Sequence, residues 1–201
     1  MKNLLAAFAL AAATVGAAST ASAQVPAITL GLPAVAGTGC PAGSVDAILS
    51  PDKSTLSILF SAYVAEAGGT TGLTFDRKSC NVAIPVNVPG GISVSIIGVD
   101  YRGFNQLPAG GTSQFNVEYF FAGGRGPVFR QNFRGPLAED YLIHNDLIAT
   151  AVVWSACGQP VTLRTNTNIR VNTVGGQQAM ATVDTQDVQA AVIYNLQFRR
   201  C

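Results

Sequence analysis

Apolar residues recur at every second position along most of this chain. Leu56, Ile58 and Phe60 interleave with Thr55, Ser57 and Leu59. Val82, Ile84, Val86 and Val88 keep the same period, as do Phe115, Val117, Tyr119 and Phe121. A longer run follows in Val161, Leu163, Thr165, Thr167, Ile169 and Val171, and residues 188–198 close the chain the same way. A period of two sends alternate side chains to opposite faces of a pleated strand, so each run predicts a strand with one face in a core. Residues 44–49, 92–104 and 128–133 are further strands, with a short one at 27–30. Residues 148–154 are nearly continuous apolar, which predicts a central strand buried on both faces.

Turn-forming residues punctuate these runs. Pro51-Asp52-Lys53-Ser54, Pro89-Gly90-Gly91 and residues 123–127 read as turns, and residues 65–74 as a Gly/Thr loop. The total is about nine to eleven strands, roughly 10 to 20 residues apart. No helical period separates them, which excludes βαβ units. The pattern predicts an all-β protein, a single β-sandwich of jelly-roll-like or immunoglobulin-like topology; strand count does not separate the two.

The first 23 residues follow a different rule. Lys2 supplies a positive start, residues 4–18 are an Ala-rich apolar run, and Ala21-Ser22-Ala23 is a small-x-small cleavage signal. This is the order of a secretory signal peptide. The run is too short and too rich in Ala for the roughly 20 strongly apolar residues of a membrane span. The expected division is a leader at 1–23, a Pro/Gly/Ala-rich lead-in at 24–36 and one domain at 37–201. The expected location is secreted, extracellular or periplasmic, with no integral membrane segment in the mature chain.

An oxidising destination changes the meaning of the four cysteines, Cys40, Cys80, Cys157 and Cys201. An even number in an exported chain predicts two disulfides, with three possible pairings. Cys40–Cys80 and Cys157–Cys201 are favoured, because each pair then brackets a contiguous block of strands. Each would close a loop of roughly 40 residues, worth about 4 kcal/mol on the chain-entropy model. A metal site is not expected: there is no Cys-x-x-Cys, and His144 is the only histidine.

Charge points away from polyanions. Twelve basic residues face eleven acidic ones, and one basic residue, Lys2, belongs to the leader, so the mature chain is formally neutral. Binding to nucleic acid or anionic membrane relies on clustered Lys and Arg, so neither is expected as a partner. Arg199-Arg200 reads as a solvated strand tip. No Asn-x-Ser/Thr sequon is present, so N-glycosylation is not expected.

Several blocks then carry a family likeness. They are Gly37-Thr38-Gly39-Cys40-Pro41-Ala42-Gly43-Ser44-Val45, Ser61-Ala62-Tyr63, Arg77-Lys78-Ser79-Cys80 and Val99-Asp100-Tyr101-Arg102-Gly103. Phe133-Arg134-Gly135-Pro136, Val153-Trp154-Ser155-Ala156-Cys157-Gly158 and Phe198-Arg199-Arg200-Cys201 follow in order. From Gly37 to Cys201 the chain resembles the secreted proteins of bacteria and fungi grouped as domain of unknown function 4360. Phe198 stands where that family often has Trp. The resemblance implies export, four cysteines and one β-rich domain. It brings no catalytic residue to carry over.

Candidate chemistry is sparse. A nucleophilic triad needs a base, and His144 is the only histidine; no Gly-x-Ser-x-Gly elbow is present. Gly123-Gly124-Arg125-Gly126 lacks the Lys-Ser/Thr ending of a phosphate loop, and no cofactor is expected. Glu139, Asp140 and Asp146, with Tyr141 and His144, form the densest acidic segment. It reads as a polar loop with solvated charges. If extended, it would put Asp140, His144 and Asp146 on one face, as an acid/base pair or calcium ligands. Asp184-Thr185-Gln186-Asp187 reads as a turn.

Asp100, Tyr101, Arg102 and Phe104 place an acid, a base and two aromatics within a short stretch. Such a set suits a sugar, whose C–H faces stack while its hydroxyls need donors and acceptors. It also suits a salt bridge over core aromatics. Trp154, beside Cys157, reads as a core residue packed near a disulfide. The expected function is a non-catalytic exported protein that binds a glycan or protein at the cell surface or outside it. The alternative is an extracellular polymer hydrolase that uses Glu139, Asp140 or Asp146.

Overall fold

The computed structural model describes residues 27–121, 123–146, 154–183 and 192–201. In chain order the strands are β1 (Thr29–Leu30), β2 (Ala34–Ala36), β3 (Val45–Leu49), β4 (Thr55–Phe60), β5 (Val64–Ala67) and β6 (Phe75–Asn87). Then come β7 (Ile92–Leu107), β8 (Thr112–Phe121), β9 (Val128–Arg134), β10 (Leu137–Asp146), β11 (Val161–Asn172), β12 (Ala179–Thr182) and β13 (Val192–Arg200). Among the described residues there is no α-helix.

The strands form two packed antiparallel sheets. The first runs β1-β6-β11-β8-β9, with β2 also on β6. The second runs β3-β4-β13-β7-β12-β5, with β10 on the opposite edge of β7. The period of two resolves into burial as expected: Leu56, Ile58 and Phe60 of β4 face the core, as do Val82, Ile84 and Val86 of β6. Thr165 and Thr167 sit in the same buried row of β11.

Those buried hydroxyls need partners, and they find them across the sandwich. The Thr167 hydroxyl donates to the Cys80 carbonyl at 3.1 Å, so the Tyr63 hydroxyl, 2.9 Å away, donates to Thr167. The hydroxyls of Thr165 and Tyr194 share a second hydrogen bond. Asn145 of β10 donates to the Tyr119 hydroxyl of β8 at 3.1 Å, and Ser113 of β8 donates to Asn105 of β7 at 2.6 Å. Burial raises the Tyr63 and Tyr194 hydroxyls far above the ordinary phenol range, so both remain neutral.

One irregularity matters for the surface. Asn195 of β13 pairs with Gly98, but the next residue, Leu196, pairs with Ile96, which leaves Ile97 as an extra residue on β7. A bulge of this kind reverses the facing of everything beyond it. Val94 and Ile96 point inward before the bulge, and Val99 and Tyr101 after it. Asp100, Arg102 and Phe104 are thereby turned to the outer face.

Four expectations are corrected. Residues 65–74, expected as a loop, contain part of β5 and a single 3-10 turn at Gly69–Thr71. β5 pairs with β12, which the periodicity did not predict. Both strands bury alanines (Ala65, Ala67, Ala179 and Ala181), whose small side chains give little strand signal. The polar loop expected around Glu139–Asp146 is β10, held by a ten-residue ladder to β7. Trp154 is not a core residue. It is half-buried and bridges Ser95, and the Arg199 guanidinium lies 4.1 Å over its ring. The rest of the predicted strand at 148–154 lies outside the described residues, as do Asp184 and Asp187.

The disulfides are Cys40–Cys80 and Cys157–Cys201, the favoured pairing. The glycines before Cys40 follow from close approach. A Cβ on Gly37 would lie 2.1 Å from the Ser79 carbonyl oxygen, and one on Gly39 would lie 2.3 Å from the Tyr63 ring. The two bridges differ in access: Cys40 and Cys80 are fully buried, whereas Cys157 and Cys201 are both on the surface. Thiol–disulfide exchange requires a thiolate to reach a sulfur. Mild dithiothreitol followed by iodoacetamide should therefore label Cys157 and Cys201 first, with Cys40 and Cys80 labelled only after unfolding. Equal labelling rates by peptide mapping would contradict this ordering.

Candidate functional site

The two segments noticed separately in the sequence are neighbours. The β7–β10 register sets Asp100 opposite His144, Arg102 opposite Leu142, Phe104 opposite Asp140 and Gly98 opposite Asp146. Alternation puts Asp100, Arg102, Phe104, Asp140, His144 and Asp146 on the outer face of the second sheet. Tyr101 and Tyr141 point the other way.

His144 is the centre of the group. Its Nδ1 meets Asp100 Oδ1, and its Nε2 lies 2.8 Å from Asp146 Oδ1. Asn195 Nδ2 reaches the other Asp100 oxygen at 3.5 Å. Carboxylates only accept, and a neutral imidazole has one N–H; both contacts are satisfied together only by imidazolium. The Asp100 hydrogen bond, then the Asp146 hydrogen bond, then the two charges raise the His144 pKa above its ordinary 6.5. The ring is about half exposed, so water screens these charges.

The same geometry bears on metal binding. The two ring nitrogens face different carboxylates, so these contacts do not converge on one ion. Among the described residues no group of three His, Cys, Asp or Glu side chains is placed to hold a metal.

Tyr101 and Tyr141 support the face from beneath. Tyr101 is fully buried, stacked 5.5 Å from Phe129 and 5.1 Å from Phe115. Tyr141 packs 5.0 Å from Phe133 and donates to the Thr182 carbonyl at 2.8 Å. Burial raises both hydroxyls well above the phenol range. Gly103 makes room for this hydrogen bond: a Cβ there would lie 2.2 Å from the Thr182 oxygen and 2.3 Å from the Tyr141 hydroxyl. The glycine that ends Asp-Tyr-Arg-Gly is thus a slot for Tyr141.

The carboxylates of β10 do not pair with each other. Glu139 and Asp140 are adjacent on a strand and point to opposite faces. Asp140 and Asp146 share a face but lie six residues apart, about 20 Å along a strand. Glycoside hydrolysis needs two carboxyl groups roughly 5 to 10 Å apart. Sequence reading missed Asn195, an uncharged residue whose meeting with Asp100 is set by the β7–β13 register.

The class defined here is an all-β sandwich stapled by two disulfides, with a hydrogen-bonded histidine–carboxylate group on one outer face. The chain belongs to the family described as Domain of unknown function (DUF4360), whose model matches residues 26–201. It is 31% identical over 167 residues to an uncharacterized secreted protein of Arthroderma benhamiae, covering 82% of this chain and 68% of that protein. The two disulfides fit an extracellular location.

Two outcomes follow. The His144 ring signals should titrate above 6.5 by NMR, and Asp100→Asn should bring the midpoint down. Because the folded pKa is raised, the stabilisation is complete below about pH 6.5 and fades as pH rises through the folded value. Urea melts across this range should show that slope in the wild type and lose it in His144→Asn. Gly103→Ala should cost about 1–3 kcal/mol by overpacking and displace Tyr141, read from urea melts and near-UV circular dichroism. An unchanged melt would remove the slot assigned to Gly103.

Proposed function

We propose that this is an exported, non-catalytic protein that binds a glycan or protein partner, at the cell surface or in the extracellular space, through the outer face of β7 and β10. The observation that carries this reading is His144, the only histidine of the chain, with both ring nitrogens against carboxylates. A general base needs a free nitrogen within reach of the proton it takes. An imidazolium held between two carboxylates is instead a fixed array of donors and acceptors. Arg102, Phe104 and Asp140 extend that array along the face with a cation, an aromatic edge and a further acceptor. Asp140 and Asp146 are too widely spaced for a hydrolytic pair, and the closer carboxylates, Asp100 and Asp146, are both engaged by His144, which weighs against the hydrolase alternative.

Export is part of the proposal. The leader at 1–23 would be removed after Ala23, leaving the lead-in at 24–36 and one domain at 37–201. The two disulfides and the secreted fungal relative support it.

The exported protein should begin at Gln24 by N-terminal sequencing. On glycan arrays, and in cross-linking to intact producing cells, it should retain a partner. His144→Ala and Arg102→Ala should each weaken that retention, by roughly tenfold where a charged hydrogen bond is lost. Turnover of an extracellular polymer, abolished by Asp140→Asn in a folded protein, would overturn the reading.

A further inference from the structure

The first sheet has an outer face of its own, with a different composition. Across β6, β11, β8 and β9 the outward side chains line up in rows. One row is Arg77, Arg170, Gln114 and Asn132; the next is Ser79, Asn168, Asn116 and Arg130. Asn166 and Glu118 follow in a third, Arg164 lies beyond them, and Arg134 stands at the other end.

Five guanidiniums, on Arg77, Arg130, Arg134, Arg164 and Arg170, therefore share this face with one carboxylate, Glu118. All five arginines are exposed. Among the described residues, no carboxylate lies within ion-pair distance of any of them. The opposite outer face carries Asp46, Asp100, Asp140 and Asp146 together with the cations of Arg102 and His144. Formal neutrality thus conceals a cationic outer face on the first sheet, which overall composition cannot reveal.

The space between the guanidiniums is filled by ordered amides. Asn116 donates to Gln114 at 3.0 Å and to Asn168 at 3.1 Å. Gln114 donates to Asn132 at 2.6 Å, and Arg130 Nε donates to Asn116 at 2.7 Å. These bonds hold the side chains in place before any ligand arrives, which lowers the entropy cost of binding.

The two chemistries together define a ligand. A guanidinium fork matches a carboxylate. An amide presents a donor and an acceptor, the complement of a sugar hydroxyl. Each amide oxygen accepts one bond within the network and keeps a second lone pair, for which a polyphosphate backbone, though it would use the guanidiniums, has no donor. A neutral glycan would leave the guanidiniums unmatched. We propose that this face binds an extended acidic polysaccharide whose sugars carry carboxylates. The proposal goes beyond the reading of the β7–β10 face and uses none of its residues.

Polygalacturonate tests it by isothermal titration or affinity electrophoresis of the exported protein. Two controls isolate the two chemistries: fully methyl-esterified polygalacturonate keeps the hydroxyls without the charge, and polyphosphate keeps charge without hydroxyls. Polygalacturonate should bind, more weakly as salt rises, with each control at least roughly tenfold weaker. Arg77→Ala with Arg170→Ala should cost roughly tenfold or more, whereas Lys53→Gln, which removes a cation from the turn between β3 and β4, should have no effect. If that pair fails to fold by circular dichroism, Arg134→Ala with Arg164→Ala replaces it. Three results would each overturn the assignment: polyphosphate binding as tightly as polygalacturonate, binding unaffected by the arginine variants, or binding lost only in His144→Ala. The last would move the ligand to the β7–β10 face and leave the proposal for that face standing.

Discussion

The two sheets are held in relation to one another by hydrogen bonds that cross their interior. Apolar contact alone is non-directional and would tolerate a shift of one sheet over the other. Thr165 and Thr167 on β11 remove that freedom, because each meets one tyrosine, Tyr194 or Tyr63. A sliding sheet would strand buried hydroxyls, at about 1–3 kcal/mol each. The net gain from each bond is smaller than that penalty, so their main effect is to select one arrangement. β11 is the middle strand of the first sheet, paired to β6 and β8, so this alignment passes to both neighbours.

Much of this architecture was legible in the chain. Strands such as β4, β6, β8 and β11 announce themselves because their buried positions are large or β-branched and their exposed positions are mostly polar. Export, read from the leader, made two disulfides the expectation, and the bracketing of contiguous strand blocks favoured the pairing found. β5 and β12 stayed hidden for a physical reason: where the sheets come close, alanine is the residue that fits, and alanine does not mark a strand. β10 stayed hidden because most of its outward positions are charged, and a charged run resembles a loop until its partner strand is known.

The candidate sites were legible only as parts. Asp100 and His144 are 44 residues apart in sequence, and each was noticed in its own segment. What joins them is register, a property of two strands together that neither strand carries alone. The same holds for the arginines of the first sheet. They are spread over three strands, β6, β9 and β11, so no basic run appears in the sequence, and counting charges returns zero. Only the cross-strand rows gather them.

The extra residue at Ile97 divides β7 into two halves of opposite phase. Shortening the chain by one residue between Ile96 and Val99 would leave the first half in place and invert the second. Asp100 and Arg102 would then enter the interior while Tyr101 emerged into water, an exchange that buries charge and exposes an aromatic ring. The side chain at this position is largely solvent-facing and is asked to do little. This stretch should therefore accept many different residues at Ile97 and no change in their number. In it, the length of the chain is inherited more strictly than its spelling.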